Sequence, residues 1–393
     1  MSIKTSVIGF PRIGKNRELK FASEKFFKGE ISEAELQNVA ADIRQYGWAK
    51  QKAAGIDFIP SNDFSFYDNV LDTAFLFGIV PERYKKLELS DLEKYFAAAH
   101  GYQGEKGDVK ALPMKKWFNT NYHYIVPEID DASEFKVDGS KPVQEFNEAK
   151  AAGIQTVPTL IGAYTFLRLA RYNGKKQAKD FVASAVEAYA KVAELLAAAG
   201  AEWISFAEPA LVFDVTAEER ELFKSIYVEL VKKVRAAGLK IALQTYFGDI
   251  RDVYQDVVAL GFDAIGLDFV EGLKSLELVK SGFPKNTLLL AGIVNGKNIW
   301  RADYAQKNAL LAEIVSAVGA ENVVVGTSCS LLHVPYTVAA EQKLSADILK
   351  HFAFAEEKLV ELAEIASGDA AALEKNKALF ATPRVQANAK AQA

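Results

Sequence analysis

The chain has 393 residues, half of them hydrophobic and a quarter charged, with a net charge of −4. That length can bury a sizeable core, as one large domain or two ordinary ones. The charge balance argues against general affinity for nucleic acid or an anionic membrane, so a basic patch here is local and has a specific target. Cys329 is the only cysteine, which rules out an internal disulfide and fits a reducing compartment. The first residues lack the apolar core of a signal peptide, and no run approaches ~20 apolar residues. These features predict a soluble, cytoplasmic protein.

The first apolar run, Ser6–Phe10, reads as a buried strand. Pro11 and Gly14 follow it, and Arg12, Lys15, Arg17 and Lys20 crowd the same short stretch. A helical hairpin is predicted over roughly Arg17–Ala54, with Ser32 and Glu35 spaced as a capping box. Further strands are predicted at Ile56–Pro60 and Trp117–Tyr124, the latter preceded by the charged insertion HGYQGEKGDVKALP. From Gly153 onward a unit repeats: a helix ends at glycine and an apolar run begins. Val157–Ile161 follows Gly153 and Trp203–Phe206 follows Gly200; similar runs follow Gly238, Gly261, Gly282 and Gly319. Glycine suits a left-handed helix end, and continuously apolar runs suit strands buried on both faces.

The helices between them are amphipathic. Val182, Val186, Tyr189, Ala193 and Leu196 form one stripe, and Thr216 with Glu219 caps a helix over Leu222–Ala237. Repeated β-then-α units predict parallel strands with right-handed crossovers. The candidate strands exceed by one the number a (β/α)8 barrel needs, which leaves one for the rim. A doubly wound sheet competes, but GFPRIGK is not its GxGxxG turn and no GxxxxGK[ST] occurs. The predicted fold is therefore α/β, a (β/α)8 TIM-type barrel over residues 1–380 with an N-terminal helical hairpin extension. Periodicity fades after Phe380, so residues 381–393 read as a linker or frayed tail.

Working residues of a barrel gather at the C-terminal strand ends. Those ends carry Asn62, Asp63, Asn119, Asn121, His123, Glu208, Tyr246, Asp268, Asn295, Ser328 and Cys329. Such a polar ring suits a pocket for a small polar molecule, or else it satisfies loop backbones. Metal motifs are missing: there is no HExxH, HxH or CxxC. Cys329 and His333, with Asp268, are the one grouping of ligand types near a strand end. Alternation along WFNTNYHY puts Trp117, Asn119, Asn121 and His123 on one face, a polar face that reads as a binding surface.

Six segments carry a family resemblance: GFPRIGKNRELKFASEKFFKG, IPSNDFSFYDNVLDTA, KKWFNTNYHYIVPE, EPAL, GIVNGKNIWRAD and SCSLLHVP. In order, they resemble the amino-terminal half of cobalamin-independent methionine synthase. The resemblance implies two barrels face to face and methyl transfer from 5-methyltetrahydrofolate polyglutamate to homocysteine. It also implies zinc in the carboxyl-terminal barrel, where the metal lowers the thiol pKa. By motif match, the folate-binding segment falls on Asn16, Arg17, Glu18 and Leu19, and a folate-binding lysine on Lys116, with Lys15 and Lys20 adding charge. The family's zinc ligands, transferred through its internal duplication, fall on Tyr246, Gly248, Asp268 and Cys329, a set without metal chemistry. The implied partners are the folate polyglutamate and a carboxyl-terminal catalytic barrel. The expectation is a half without turnover of its own. A stand-alone polyglutamyl-folate binder and a barrel enzyme using Glu208 and Asp268 as an acid–base pair are the alternatives.

Overall fold

The computed structural model describes residues 3–382. Eight parallel strands form the central sheet: β1 (Lys4–Ser6), β2 (Ile59–Ser61), β3 (Thr156–Ile161), β4 (Trp203–Ala207), β5 (Lys240–Gln244), β6 (Ala264–Asp268), β7 (Leu288–Val294) and β8 (Val323–Thr327). Their spatial order is β1-β8-β7-β6-β5-β4-β3-β2. The ring closes between its two ends, where Phe58 N–H donates to Thr5 O at 3.0 Å and Val7 N–H to Phe58 O at 3.3 Å. The fold is the predicted TIM-type barrel.

The helical hairpin is present as α1 (Glu18–Phe27) and α2 (Glu33–Ala53), and the Ser32–Glu35 capping box opens α2. Thr216 and Glu219 cap the helix Ala217–Ala236 in the same way. Two large cores divide the work, with a small third cluster of Ala242, Ala264, Leu290 and Val324 on β5–β8. One packs the barrel against its helices, through residues such as Phe206, Leu230, Ile241 and Leu289. The other joins the hairpin to the loop elements after β2, through Leu19, Leu36, Ile43, Leu71 and Phe96. The 15–20 turn therefore sits on a built element anchored to the barrel's rim.

Two expectations are corrected. The first strand is Lys4–Ser6, not Ser6–Phe10. Beyond Val7 the apolar run is half-buried at Ile8 and buried at Gly9 and Phe10, but its amides bond to side chains: Ile8 N–H to Thr327 Oγ1 and Phe10 N–H to Asp63 Oδ2. Trp117–Tyr124 is no barrel strand. It is the end of an antiparallel hairpin in which Met114–Lys116 pairs with His123–Ile125, so the predicted alternation of faces does not apply. Thr120 closes the turn, its hydroxyl donating to Trp117 O at 2.6 Å. The insertion before it forms a small ribbon, Tyr102–Gly104 with Gly107–Val109. A last helix runs Ala370–Ala381; the rest of the predicted tail lies almost wholly outside the described residues.

Candidate functional site

The basic turn leads out of β1 into α1. Its cations do different jobs. Arg12 is spent internally: its guanidinium donates to the carbonyls of Ser65, Phe66 and Tyr67 at 3.0, 3.1 and 2.7 Å. Lys15, Arg17 and Lys20 are exposed. Arg17 holds a left-handed backbone, φ 64°, which is unusual for a non-glycine residue. Glu18 explains it, since its carboxylate accepts from Asn16 N–H at 2.9 Å and from Asn16 Nδ2 at 3.2 Å, folding the turn back on itself. The amides of Arg17 and Leu19 donate to the carbonyls of Gly14 and Ile13. Anion attraction at this helix start therefore comes from side-chain charge, because several amides already have internal acceptors. Lys20 lies 3.7 Å from Glu24, with both side chains about half exposed. Arg17 and Lys20 flank the exposed ring of Phe21 at 5.8 and 5.9 Å. Leu19 is buried in the second core.

Lys116 is exposed on the Met114–Lys116 strand of the hairpin, opposite His123. With Lys115 it borders a depression of about 520 Å³ lined by Phe118, Leu169, Phe213 and Phe247. The basic turn borders a separate groove between α1 and α2, with Phe21, Tyr46 and Tyr336. A third, small cavity of about 80 Å³ sits at the barrel mouth, which Arg12, Asp63, Trp117, His123, Tyr246 and His333 help to line. None of Lys15, Arg17, Lys20, Lys115 and Lys116 lines that cavity; the two basic elements border separate openings.

The polar ring mostly serves the loops. Asn62 Nδ2 donates to Thr159 O, and Asn62 Oδ1 accepts from Lys141. Glu208 is fully buried and accepts from the amides of Tyr164 and Thr165 and the hydroxyl of Tyr227. Burial pushes its carboxyl up to about 7, against the pull of those donors. Asp268 accepts from the amides of Phe247, Val270 and Glu271 at 3.0, 2.7 and 2.9 Å, and burial raises it to about 6. Asn295 Oδ1 accepts from the amides of Lys297 and Asn298. His333 is pushed down to about 4 by burial, with Lys297 adding to the shift. Glu208 and Asp268 are each committed to separate loops.

Sequence reasoning missed the contacts across the mouth. Phe118 stacks on Phe213, with ring centroids 4.8 Å apart and 15° between the planes. Asn119 meets Glu271 and Lys297 from the loops after β6 and β7. Asn119 lies 152 and 178 positions from its two partners, Phe213 is likewise distant from Phe118, and no local signal marks them.

The whole chain aligns with known sequences. A sequence profile described as "Cobalamin-independent synthase, N-terminal domain" matches residues 4–319. The chain belongs to this family. The 5-methyltetrahydropteroyltriglutamate–homocysteine methyltransferase of Lactococcus lactis subsp. cremoris is 54% identical over 391 residues, 98% of this chain and 51% of that protein. The protein of the same name from Streptococcus pneumoniae is 55% identical over 395 residues, 100% of this chain and 52% of that protein. The chain thus spans about half the length of the curated relatives it matches. Two solved structures share the fold. A putative vitamin-B12 independent methionine synthase from Listeria monocytogenes has a TM-score of 0.61 at 16% identity, covering 93% of this chain and 96% of its own. A B12-independent methionine synthase from a Shewanella species, in complex with selenomethionine, has a TM-score of 0.61 at 14% identity, covering 96% and 100%.

Within this cobalamin-independent synthase domain, the transferred ligand positions do not suit zinc. Gly248 has no side chain. Both Asp268 oxygens accept backbone amides. Burial raises the Cys329 thiol, opposing the thiolate that binds metal. Burial likewise raises the Tyr246 phenol. Among the described residues no group of three or more His, Cys, Asp or Glu side chains is placed to hold a metal ion. No helix among them is long and apolar enough to cross a membrane.

Proposed function

We propose that this chain is the folate-polyglutamate-binding half of a cytoplasmic, cobalamin-independent methionine synthase. In the whole enzyme a methyl group passes from 5-methyltetrahydrofolate polyglutamate to the homocysteine thiolate. The observation that carries the reading is the 54–55% identity, along the whole chain, to proteins named for a triglutamyl folate and homocysteine. Zinc and thiol activation belong to a carboxyl-terminal barrel, in the same polypeptide or as a separate partner. In this reading the chain holds the tail and supplies none of the groups at the reacting atoms.

In this reading Lys15, Arg17, Lys20 and Lys116 meet the carboxylates of the glutamate tail. Asn16, Glu18 and Leu19 set the shape of the turn, Asn16 through its bonds to the Glu18 carboxylate. The cations are solvated, so each is worth about 0.2–1 kcal/mol. Each alanine substitution then weakens triglutamyl-folate binding roughly twofold to fivefold. The test is fluorescence titration with mono- and triglutamyl folates at two ionic strengths, on the natural chain and on Arg17→Ala and Lys116→Ala. Affinity rises with tail length and falls with salt, because such attraction is screened over ~8–10 Å. Equal affinity for both tails, indifferent to salt and to either substitution, refutes it.

A further inference from the structure

The aromatic and amide-rich WFNTNYHY segment lies beside Lys116, and its bonds run across the barrel mouth. Asn119, at the hairpin tip, sits in a closed ring of three polar groups. Its Nδ2 donates to Glu271 Oε2 at 3.0 Å, and its Oδ1 accepts from Lys297 Nζ at 2.9 Å. Lys297 Nζ also lies 2.5 Å from Glu271 Oε1. Every hydrogen bond in this ring has a charged partner, which makes it stronger than a neutral pair. Asn119 is exposed at the tip, whereas Lys297 and Glu271 are only 21% and 27% exposed.

The residues that present the ring are themselves held. The Asp268 carboxylate fixes the Glu271 amide, and the Asn295 side chain fixes the Lys297 amide. Lys297 also lies over the ring of Phe247 at 5.4 Å. Next to Asn119, Phe118 adopts φ 52° while its ring packs on Phe213 and Phe247; Phe247 itself has φ 76°. Bulky residues hold such angles only where their surroundings force them, and such strain concentrates at functional sites. The hairpin is therefore docked by a specific latch on loops after β4, β5, β6 and β7.

We propose that Lys297 and Glu271, with Asn119, are positioning residues that latch the 114–125 hairpin across the barrel mouth and so hold Lys116 at the folate tail. The inference rests on the polyglutamate reading above. None of the three touches the ligand. They act by fixing the hairpin whose strand carries Lys116, and so reduce the ordering that binding requires.

The test separates this role from simple charge. Glu271→Ala removes an anion near a site for a polyanion, so electrostatics alone tightens binding. The latch predicts the opposite, a twofold to fivefold loss of triglutamyl-folate affinity in fluorescence titration. Asn119→Ala, which changes no charge, loses the same. Lys297→Arg keeps a donor for both partners and restores most of the affinity that Lys297→Met loses. The double variant Glu271→Ala with Lys116→Ala loses no more in total than Lys116→Ala alone, because both act through one lysine. Hydrogen exchange at the hairpin amides rises in both latch variants while the barrel strands stay protected. Wild-type tail-length dependence with unchanged or tighter binding in Glu271→Ala, or fully additive losses with Lys116→Ala, overturns the latch alone. A wild-type chain that ignores tail length overturns the folate reading, and the inference with it.

Discussion

Replacing Glu208 by glutamine separates a buried acid from a working one. Glu208 is fully buried, and burial raises its carboxyl from the ordinary 4.5 to about 7. Below pH ~4.5 the folded and unfolded chains both hold the proton, and the stabilisation linked to Glu208 is fully present. As pH rises to 7, the unfolded chain has already released the proton while the fold retains it, so stability falls. Above 7 both states are ionised and the fold bears the whole cost of a buried charge. A shift of this size corresponds to about 3 kcal/mol. Glutamine resembles the protonated acid, but offers one acceptor oxygen where the carboxylate offers two to Tyr164, Thr165 and Tyr227. Opposing one donor costs about 1–3 kcal/mol. The Glu208→Gln chain is therefore the less stable at pH 5 and gains about 3 kcal/mol on the natural chain by pH 8. Urea midpoints at both pH values, with slopes checked for equality, read the difference. A constant difference, or a variant that worsens as pH rises, refutes the reasoning. It would mean that the three donors outweigh desolvation and keep the carboxylate ionised.

Two further outcomes follow from the same side chains. After dialysis the chain retains no stoichiometric zinc and methylates no homocysteine by itself; metal analysis with a methylation assay checks this, and one bound zinc with turnover would contradict it. Arg12→Met removes charged donors from three carbonyls of the 65–67 loop and costs about 1.5–3 kcal/mol in urea unfolding, without altering the salt dependence of folate binding as Arg17→Ala does.

The features legible in the sequence are those decided by local chemistry. Ser32 and Glu35 cap α2 because the two groups are one helical turn apart. The helix ending at Gly200 stops in a left-handed residue, φ 94°, before β4. Parallel strands buried on both faces must be apolar, and six of the barrel's strands announced themselves that way. The hairpin at 114–125 was illegible for an equally physical reason. Its composition is that of a strand, and its reversal passes through Phe118 at positive φ with no glycine to mark it. Ile8–Phe10 misled similarly: the run is largely buried, but the amides of Ile8 and Phe10 bond to the side chains of Thr327 and Asp63 and not to the backbone of a neighbouring strand. In the candidate site, the clustering of charge along residues 15–20 was visible. The division of labour within it was not, since only the fold spends Arg12 on the 65–67 loop. The latch pairs residues 152 and 178 positions apart, and no spacing rule reaches that far.

What the barrel does with its mouth limits how tightly this half can hold a ligand. Strand-end groups that usually face a substrate are used here as loop caps: Asn62, Glu208, Asp268 and Asn295 all bond to backbone groups beside them. Hydrogen bonds committed in this way are not available for recognition unless the loops rearrange. The charge left for a polyanion is on the periphery, on Lys15, Arg17, Lys20 and Lys116, all exposed. At up to about 1 kcal/mol each, solvated cations supply about 4 kcal/mol together. That corresponds to a dissociation constant near 1 mM. Tighter binding needs a wall that removes water from the same charges, since Coulomb attraction grows as the effective dielectric falls. Adding a carboxyl-terminal barrel should therefore raise the affinity for triglutamyl folate far more than any substitution in the basic turn lowers it. It should also reduce the salt dependence contributed by Arg17 and Lys116. Micromolar affinity in the chain alone would require a second source of binding, with the small cavity between Arg12, Asp63 and His333 as the place to look.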